Sequence, residues 1–204
     1  MGERLVIVNQ INGYTINAIY YHWSNYTQTA VAEVLALSDG IQTYYDDIDN
    51  KTPYSPIDTF NLACLESISG ISSWDNESRA YYQKVTGEDY DVEKIDRSLG
   101  LIHFTENDIM DAIGAAEGTV YIDWAIDAIG RPIIDKTKVD LIGVIYRESA
   151  DYEEDFPEIS AQQRQNPKSY TLDNIKLTEL DDFYNQLPED WYDEQENNYY
   201  SQKG

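Results

Sequence analysis

Two histidines, one cysteine and a large excess of carboxylates are the groups in this 204-residue chain that chemistry could use. His22 sits between Tyr21 and Trp23, His103 lies in the apolar run LIHF, and Cys64 falls within DTFNLACLESIS. A zinc site wants three or four His, Cys or acid ligands at short spacing, and neither C-x2-C nor H-E-x-x-H occurs. Cys64 lies on the apolar side of a helical pattern, where a thiol packs as a small hydrophobe. His22-Trp23-Ser24 lacks the G-x-S-x-G elbow that would expose a nucleophilic serine. Acids two apart in DDIDNK and DYDVEKID lack the Gly and Glu that complete a calcium loop. Neither G-x-x-x-x-G-K-[ST] nor G-x-G-x-x-G is present, so a nucleotide site of either common type lacks support. Asp123 and Asp127 flank Trp124 as a carboxylate pair for a sugar or phosphate would, but in a chain with 38 acids such pairs arise by chance. The residues therefore assign no catalytic group, no metal and no cofactor.

The strongest signal is charge. Asp and Glu number 38 against 14 Lys and Arg, a net charge of −24, while 42% hydrophobic residues suffice to bury a core. Such an excess repels nucleic acid and anionic membranes, so a charge-driven partner is expected to be basic. A single cysteine excludes an internal disulfide framework, and no apolar stretch is long enough to span a bilayer. No charged n-region followed by an apolar run opens the chain, which is expected to be soluble and cytoplasmic.

These groups need elements to hold them. ERLVIVNQINGYTINAIYYHW reads as a β-hairpin turning at Asn12-Gly13. Thr27 is placed to cap a helix over about 28–38, ended by Asp39-Gly40 and followed by the polar loop YYDDIDNKTPYSP. A second helix is expected from Ile57 to Ser69, with Phe60, Cys64, Leu65 and Ile68 inward and Gly70 closing it. Residues 71–98 read as a tyrosine-rich, acidic loop with one short helix. LGLIHF predicts a strand, and Thr105-x-x-Asp108 opens a helix with Ile109, Met110, Ala112 and Ile113 at helical spacing. TVYIDWAID and KVDLIGVIYRE predict two more strands. The sum is an α+β fold: a small, mostly antiparallel sheet of four or five strands with hairpin-like connections and about three helices.

Beyond Ala150 the composition turns sharply acidic, so residues 1–150 are expected to form the globular domain and 151–204 an acidic C-terminal extension. The extension contains one amphipathic pattern, LTELDDFYNQL, with Leu177, Leu180, Phe183, Tyr184 and Leu187 on one face. After Pro188, EDWYDEQENNYY interleaves carboxylates with aromatics.

Three explanations of the acid compete: halophilic adaptation, a solvated face without a role, and a surface presenting carboxylates where nucleic acid presents phosphates. A halophilic chain tends toward Ala, Val and Gly, whereas this one has 18 tyrosines. Tyrosine and tryptophan among the acids supply the anchors that dominate interface energetics. The expected partner-binding residues are Asp46, Asp47, Asp49, Glu88, Asp89, Asp91, Glu93, Asp190, Trp191, Tyr192, Asp193 and Glu194.

MGERLVIV, YYHWSNYT, PYSPIDTFNLACLESISG and GLIHFTENDIM with EGTVYIDW occur in this order over about residues 1–125. Together they resemble small uncharacterised proteins of bacteriophages and mobile elements. Many such relatives carry Gly at the position of Asn25, a departure in the turn. The resemblance transfers no catalytic residue. It implies a phage setting, in which acidic proteins resembling anti-CRISPR and anti-restriction inhibitors are common. The expectation is an anti-CRISPR-like inhibitor that occludes the DNA or RNA channel of a basic nuclease or other host defence enzyme by nucleic-acid mimicry, without touching nucleic acid itself. Two alternatives stand beside it. One is a small hydrolase of a nucleotide signal or guide RNA, working through His22, His103 or Cys64. The other is a non-catalytic phage accessory module that binds a host protein.

Overall fold

Asn12 and Gly13 close the first hairpin with φ of 53° and 76°, the left-handed pair that a two-residue turn matched to strand twist needs. The computed structural model describes residues 4–22, 24–25, 27–48, 53–68, 76–89, 100–145 and 169–185. β1 (Leu5–Ile11) and β2 (Tyr14–Tyr21) pair antiparallel, with Leu5 opposite Tyr21 and Ile11 opposite Tyr14. Leu5 to Asn9 are all buried. Leu5 and Ile7 enter one apolar core while Val6 and Val8 enter another, as a strand covered on both faces does.

The hairpin sits inside a six-stranded sheet. β3 is Leu101–His103, β4 Gly118–Trp124, β5 Lys138–Ile145 and β6 Ser169–Lys176, in the order β3-β2-β1-β4-β5-β6. β4 lies parallel to β1, with Leu5 opposite Gly118 and Ile11 opposite Trp124. The α+β class holds, but the sheet is mixed and larger than the small, mostly antiparallel one expected. Hairpin connections fail between β2 and β4, where three helices, β3 and a fourth helix intervene and return the chain beside β1 in parallel. β6 escaped detection because SYTLDNIK is too polar to read as a strand.

Five helices are described: α1 (Thr27–Asp47), α2 (Pro56–Ser67), α3 (Asn76–Thr86), α4 (Glu106–Ala115) and α5 (Leu177–Tyr184), with a 3-10 turn at Ile134–Lys136. The larger core lies between the sheet and α1, α2 and α5, and includes Leu37, Ile41, Phe60, Leu65, Trp124 and Leu180. Thus β6 and α5, drawn from residues assigned to the acidic extension, complete the sheet edge and this core. The smaller core lies under α4 and joins Ile109 and Ala112 to Val6, Val8 and Ala18.

α1 does not stop at Asp39-Gly40 but continues to Asp47, taking up the first four residues of the expected polar loop. The apolar spacing persists through Leu37, Ile41 and Tyr45, all buried. Gly40 is a contact point, since a Cβ there would lie 2.6 Å from both Cβ and Oγ of Ser67. Its absence lets α1 and α2 approach closely, which offsets the cost of glycine in a helix.

α2 begins with Ser55 as N-cap and Pro56 in the first turn. The Ser55 hydroxyl accepts from the Asp58 backbone N–H at 3.1 Å and donates to Asp58 Oδ2 at 2.6 Å. It ends at Ser67, two residues short of the expected limit; Gly70 lies outside the described residues. Thr105 caps α4 by accepting from the Asp108 N–H, as expected. Met110, expected among the inward positions, is 60% exposed.

Candidate functional site

Cys64 is fully buried beside two asparagine amides: Nδ2 of Asn17 lies 3.5 Å and Nδ2 of Asn9 3.9 Å from Sγ. Burial pushes its thiol up to about 12, partly offset by the Asn17 amide. A thiol held protonated away from solvent is not a nucleophile at neutral pH. His103 Nδ1 lies 3.1 Å from Glu77 Oε2, and the other oxygen of that carboxylate accepts the Phe104 N–H at 2.9 Å. Glu77 thus ties α3 to β3. His22 is exposed at the end of β2, with Nδ1 3.4 Å from the Tyr20 hydroxyl. Asn25, at the corner between β2 and α1, is buried with its side chain against Gly118 and its Nδ2 3.5 Å from the Gly143 carbonyl. Among the described residues no group of three His, Cys, Asp or Glu could hold a metal ion. No described helix is long and apolar enough to cross a membrane.

The interior carries a polar chain that the search for motifs overlooked. Trp124 Nε1 donates to Asn9 Oδ1 at 2.8 Å, Asn9 Nδ2 to Asn17 Oδ1 at 2.7 Å, and Asn17 Nδ2 to Asn61 Oδ1 at 2.8 Å. Asn61 Nδ2 then donates to the Tyr81 hydroxyl at 2.8 Å, and that hydroxyl donates to Asp58 Oδ1 at 2.7 Å. β4, β1, β2, α2 and α3 are therefore linked in sequence. Hydrogen bonds from Ser55 and then Tyr81 hold the Asp58 carboxyl below the usual range. Amides relay no protons, so the chain sets alignment. Phase could have revealed it, because Asn9 follows Leu5 and Ile7, and Asn17 precedes Ile19 and Tyr21, on the inward side of adjacent strands.

Exposed acids at the ends of α1, α2 and α3 are the other unusual feature. Asp46 and Asp47 are exposed in the last turn of α1, Glu66 is exposed near the end of α2, and Glu88 and Asp89 are exposed just beyond α3. Neither α1 nor α2 has a basic residue in its last turn. Burial pushes the Tyr44 phenol up to about 12, with Glu66, Tyr54 and Tyr82 adding to the effect. Burial likewise raises Tyr82, with Glu66, Glu88 and Tyr54 contributing. Tyr44 on α1, Glu66 on α2 and Tyr82 on α3 are thus within electrostatic range of one another, with Tyr54, before α2, near both phenols and Glu88, beyond α3, near Tyr82. Asp47 stands one turn beyond Tyr44 on the same helix.

Of the residues singled out by sequence, Asp46, Asp47, Glu88 and Asp89 are described, and all four are exposed. Asp46 accepts from Gln42 Nε2 and Asp89 from Gln83 Nε2, both at 3.0 Å. Among the described residues none of the four forms a salt bridge. Asp49, Asp91, Glu93, Asp190, Trp191, Tyr192, Asp193 and Glu194 lie outside the described residues. Sequence reasoning missed Tyr54, Glu66 and Tyr82, which only the tertiary fold brings near Tyr44. No family model matches the chain, and no curated protein or solved structure does either.

Proposed function

We propose that this protein is a stoichiometric inhibitor that presents carboxylates and tyrosines to the nucleic-acid channel of a basic enzyme, in the manner of a phage-encoded anti-CRISPR acting in the host cytoplasm. The observation that carries the reading is the placement of Asp46 and Asp47 at the C-terminus of α1 and of Glu66 at that of α2, with Glu66 near Tyr44 and Tyr82. Carboxylates there oppose the helix dipole and weaken the free fold, by about 0.3 to 1 kcal/mol each where exposed. A basic groove would turn that penalty into attraction, while the half-buried phenols supply rigid contact area. The partner is thus a nucleic-acid-handling protein such as a CRISPR nuclease. Nucleic acid itself is repelled by a chain of net charge −24.

Affinity capture of a candidate nuclease, repeated between about 50 and 500 mM salt with and without target DNA, tests this directly. Binding should fall steeply with salt and be displaced by DNA, and nuclease activity should titrate to zero at a fixed ratio. Indifference to both salt and DNA removes the mimicry reading. The orienting contact of Glu77 on His103 favours one second reading, a small hydrolase of a nucleotide signal or guide RNA. It requires turnover below stoichiometry and its loss in His103→Ala.

A further inference from the structure

The two faces of the sheet are covered unequally. On the side away from α1 and α2, rows of side chains can be read across the strands: Tyr20, Val6, Thr119, Ile142 and then Ala18, Val8, Tyr121, Asp140. α4 covers the β2 and β1 ends of these rows, where Val6, Val8 and Ala18 are fully buried. Across β4 and β5 none of the described helices covers this side: Thr119 and Tyr121 are half-buried and Ile142 is 51% exposed. Helices packed side by side lie about 8 to 10 Å apart, close to two strand spacings of about 4.8 Å. The part of this face that β4 and β5 span beside α4 therefore matches the width of one helix.

Its surroundings define what fits. Between Arg97 and Arg131 the chain has six carboxylates and no Lys or Arg. Of these, Glu106, Asp108 and Asp111 are exposed on α4, and Asp123 lies on β4 in a row that continues through Lys138 to Lys176, so the acids gather on the α4 side of the strip. Among the described residues, Ile142 on the strip and Met110 on α4, 60% exposed, are large apolar side chains open to solvent. A second copy, a nucleic acid or an anionic membrane would each bring like charge to this rim.

We propose that the strip across β4 and β5 beside α4 is the docking site for a basic amphipathic helix of a protein partner. Its apolar stripe seats on Tyr121 and Ile142, and its lysines or arginines face the acids of α4. Different residues from those at the α1–α3 surface carry this site, so it stands if the inhibitor reading falls.

The probe is a fluorescent Leu/Lys peptide of helical amphipathic spacing, measured by anisotropy against the full chain beside a scrambled peptide of identical composition. The amphipathic peptide should bind at least tenfold tighter than the scrambled one. Ile142→Asp and Tyr121→Ser, each checked for native circular dichroism, should weaken it at least tenfold, whereas Asp46→Asn with Asp47→Asn should leave it within about twofold. Equal binding of the two peptides, or unchanged affinity in both strip variants, overturns the proposal. In Ile142→Cys the new thiol should react with a maleimide at the rate of a free cysteine, Cys64 being buried. Slow labelling without peptide means that the chain's own residues cover the strip, and overturns the proposal too.

Discussion

Asn9 and Asn17 face each other across the β1–β2 hairpin, and the amide of Asn9 donates to the oxygen of Asn17 at 2.7 Å in a core where both are fully buried. Asn17 is also the donor to Asn61, so one side chain holds the hairpin in register and fixes α2 above it.

Replacing Asn17 by Leu leaves the Asn9 amide without its acceptor and the Asn61 oxygen without its donor. At about 1 to 3 kcal/mol for each unpaired buried group, the variant should lose about 2 to 5 kcal/mol in urea unfolding. A loss under about 1 kcal/mol would mean that the polar chain contributes little to alignment.

Gly40→Ala should destabilise by about 1 to 3 kcal/mol, although alanine is the better helix former, because its methyl meets Ser67 at 2.6 Å. Ser67→Gly in the same chain should restore most of the loss. A double-mutant cycle showing additive effects would contradict close contact of α1 and α2.

Glu33 is half-buried on α1, and burial pushes its carboxyl up to about 6 against the opposing effect of a 3.3 Å bond from Ser24. Its folded pKa exceeds its unfolded one, so its contribution to stability is fully present below about 4.5 and is lost as pH rises through about 6. Glu33→Gln should remove that decline, gaining up to about 2 kcal/mol at pH 8 relative to the parent. Parallel pH–stability curves for the two proteins would refute the assignment.

Asp46→Asn with Asp47→Asn should stabilise the free protein by about 0.5 to 2 kcal/mol in low salt, since two negative charges leave the negative end of α1. The gain should shrink at about 1 M salt, where screening is nearly complete. If thermal unfolding is unchanged in low salt, the helix end tolerates the acids at no cost.

The hairpin, the Thr105 cap and the strand of Val120, Ile122 and Trp124 were legible because each is specified within a few residues. The run of α1 past Gly40 was not, because glycine signals a stop locally and a close approach only when Ser67 is opposite. β6 was hidden for a related reason: SYTLDNIK alternates weakly, and its place depends on pairing with β5. At the candidate site, charge pointed to Asp46, Asp47, Glu88 and Asp89 directly. Gathering Tyr44 with Tyr54, Tyr82 and Glu66 took the tertiary fold.

The parallel pairing of β1 with β4 also sets an order of events on the ribosome. Arg4 and Glu117, which are joined by an ion pair just before these strands, lie 113 positions apart in sequence. The N-terminal hairpin can close as soon as it emerges, on the microsecond scale of local turns. Its other edge must wait for most of the chain to be translated. Until then β1 offers an open row of backbone donors and acceptors, flanked by Val6 and Ile7, to any extended segment nearby. Synthesis rate and chaperone cover should therefore govern the yield of this protein more than the stability of its finished fold.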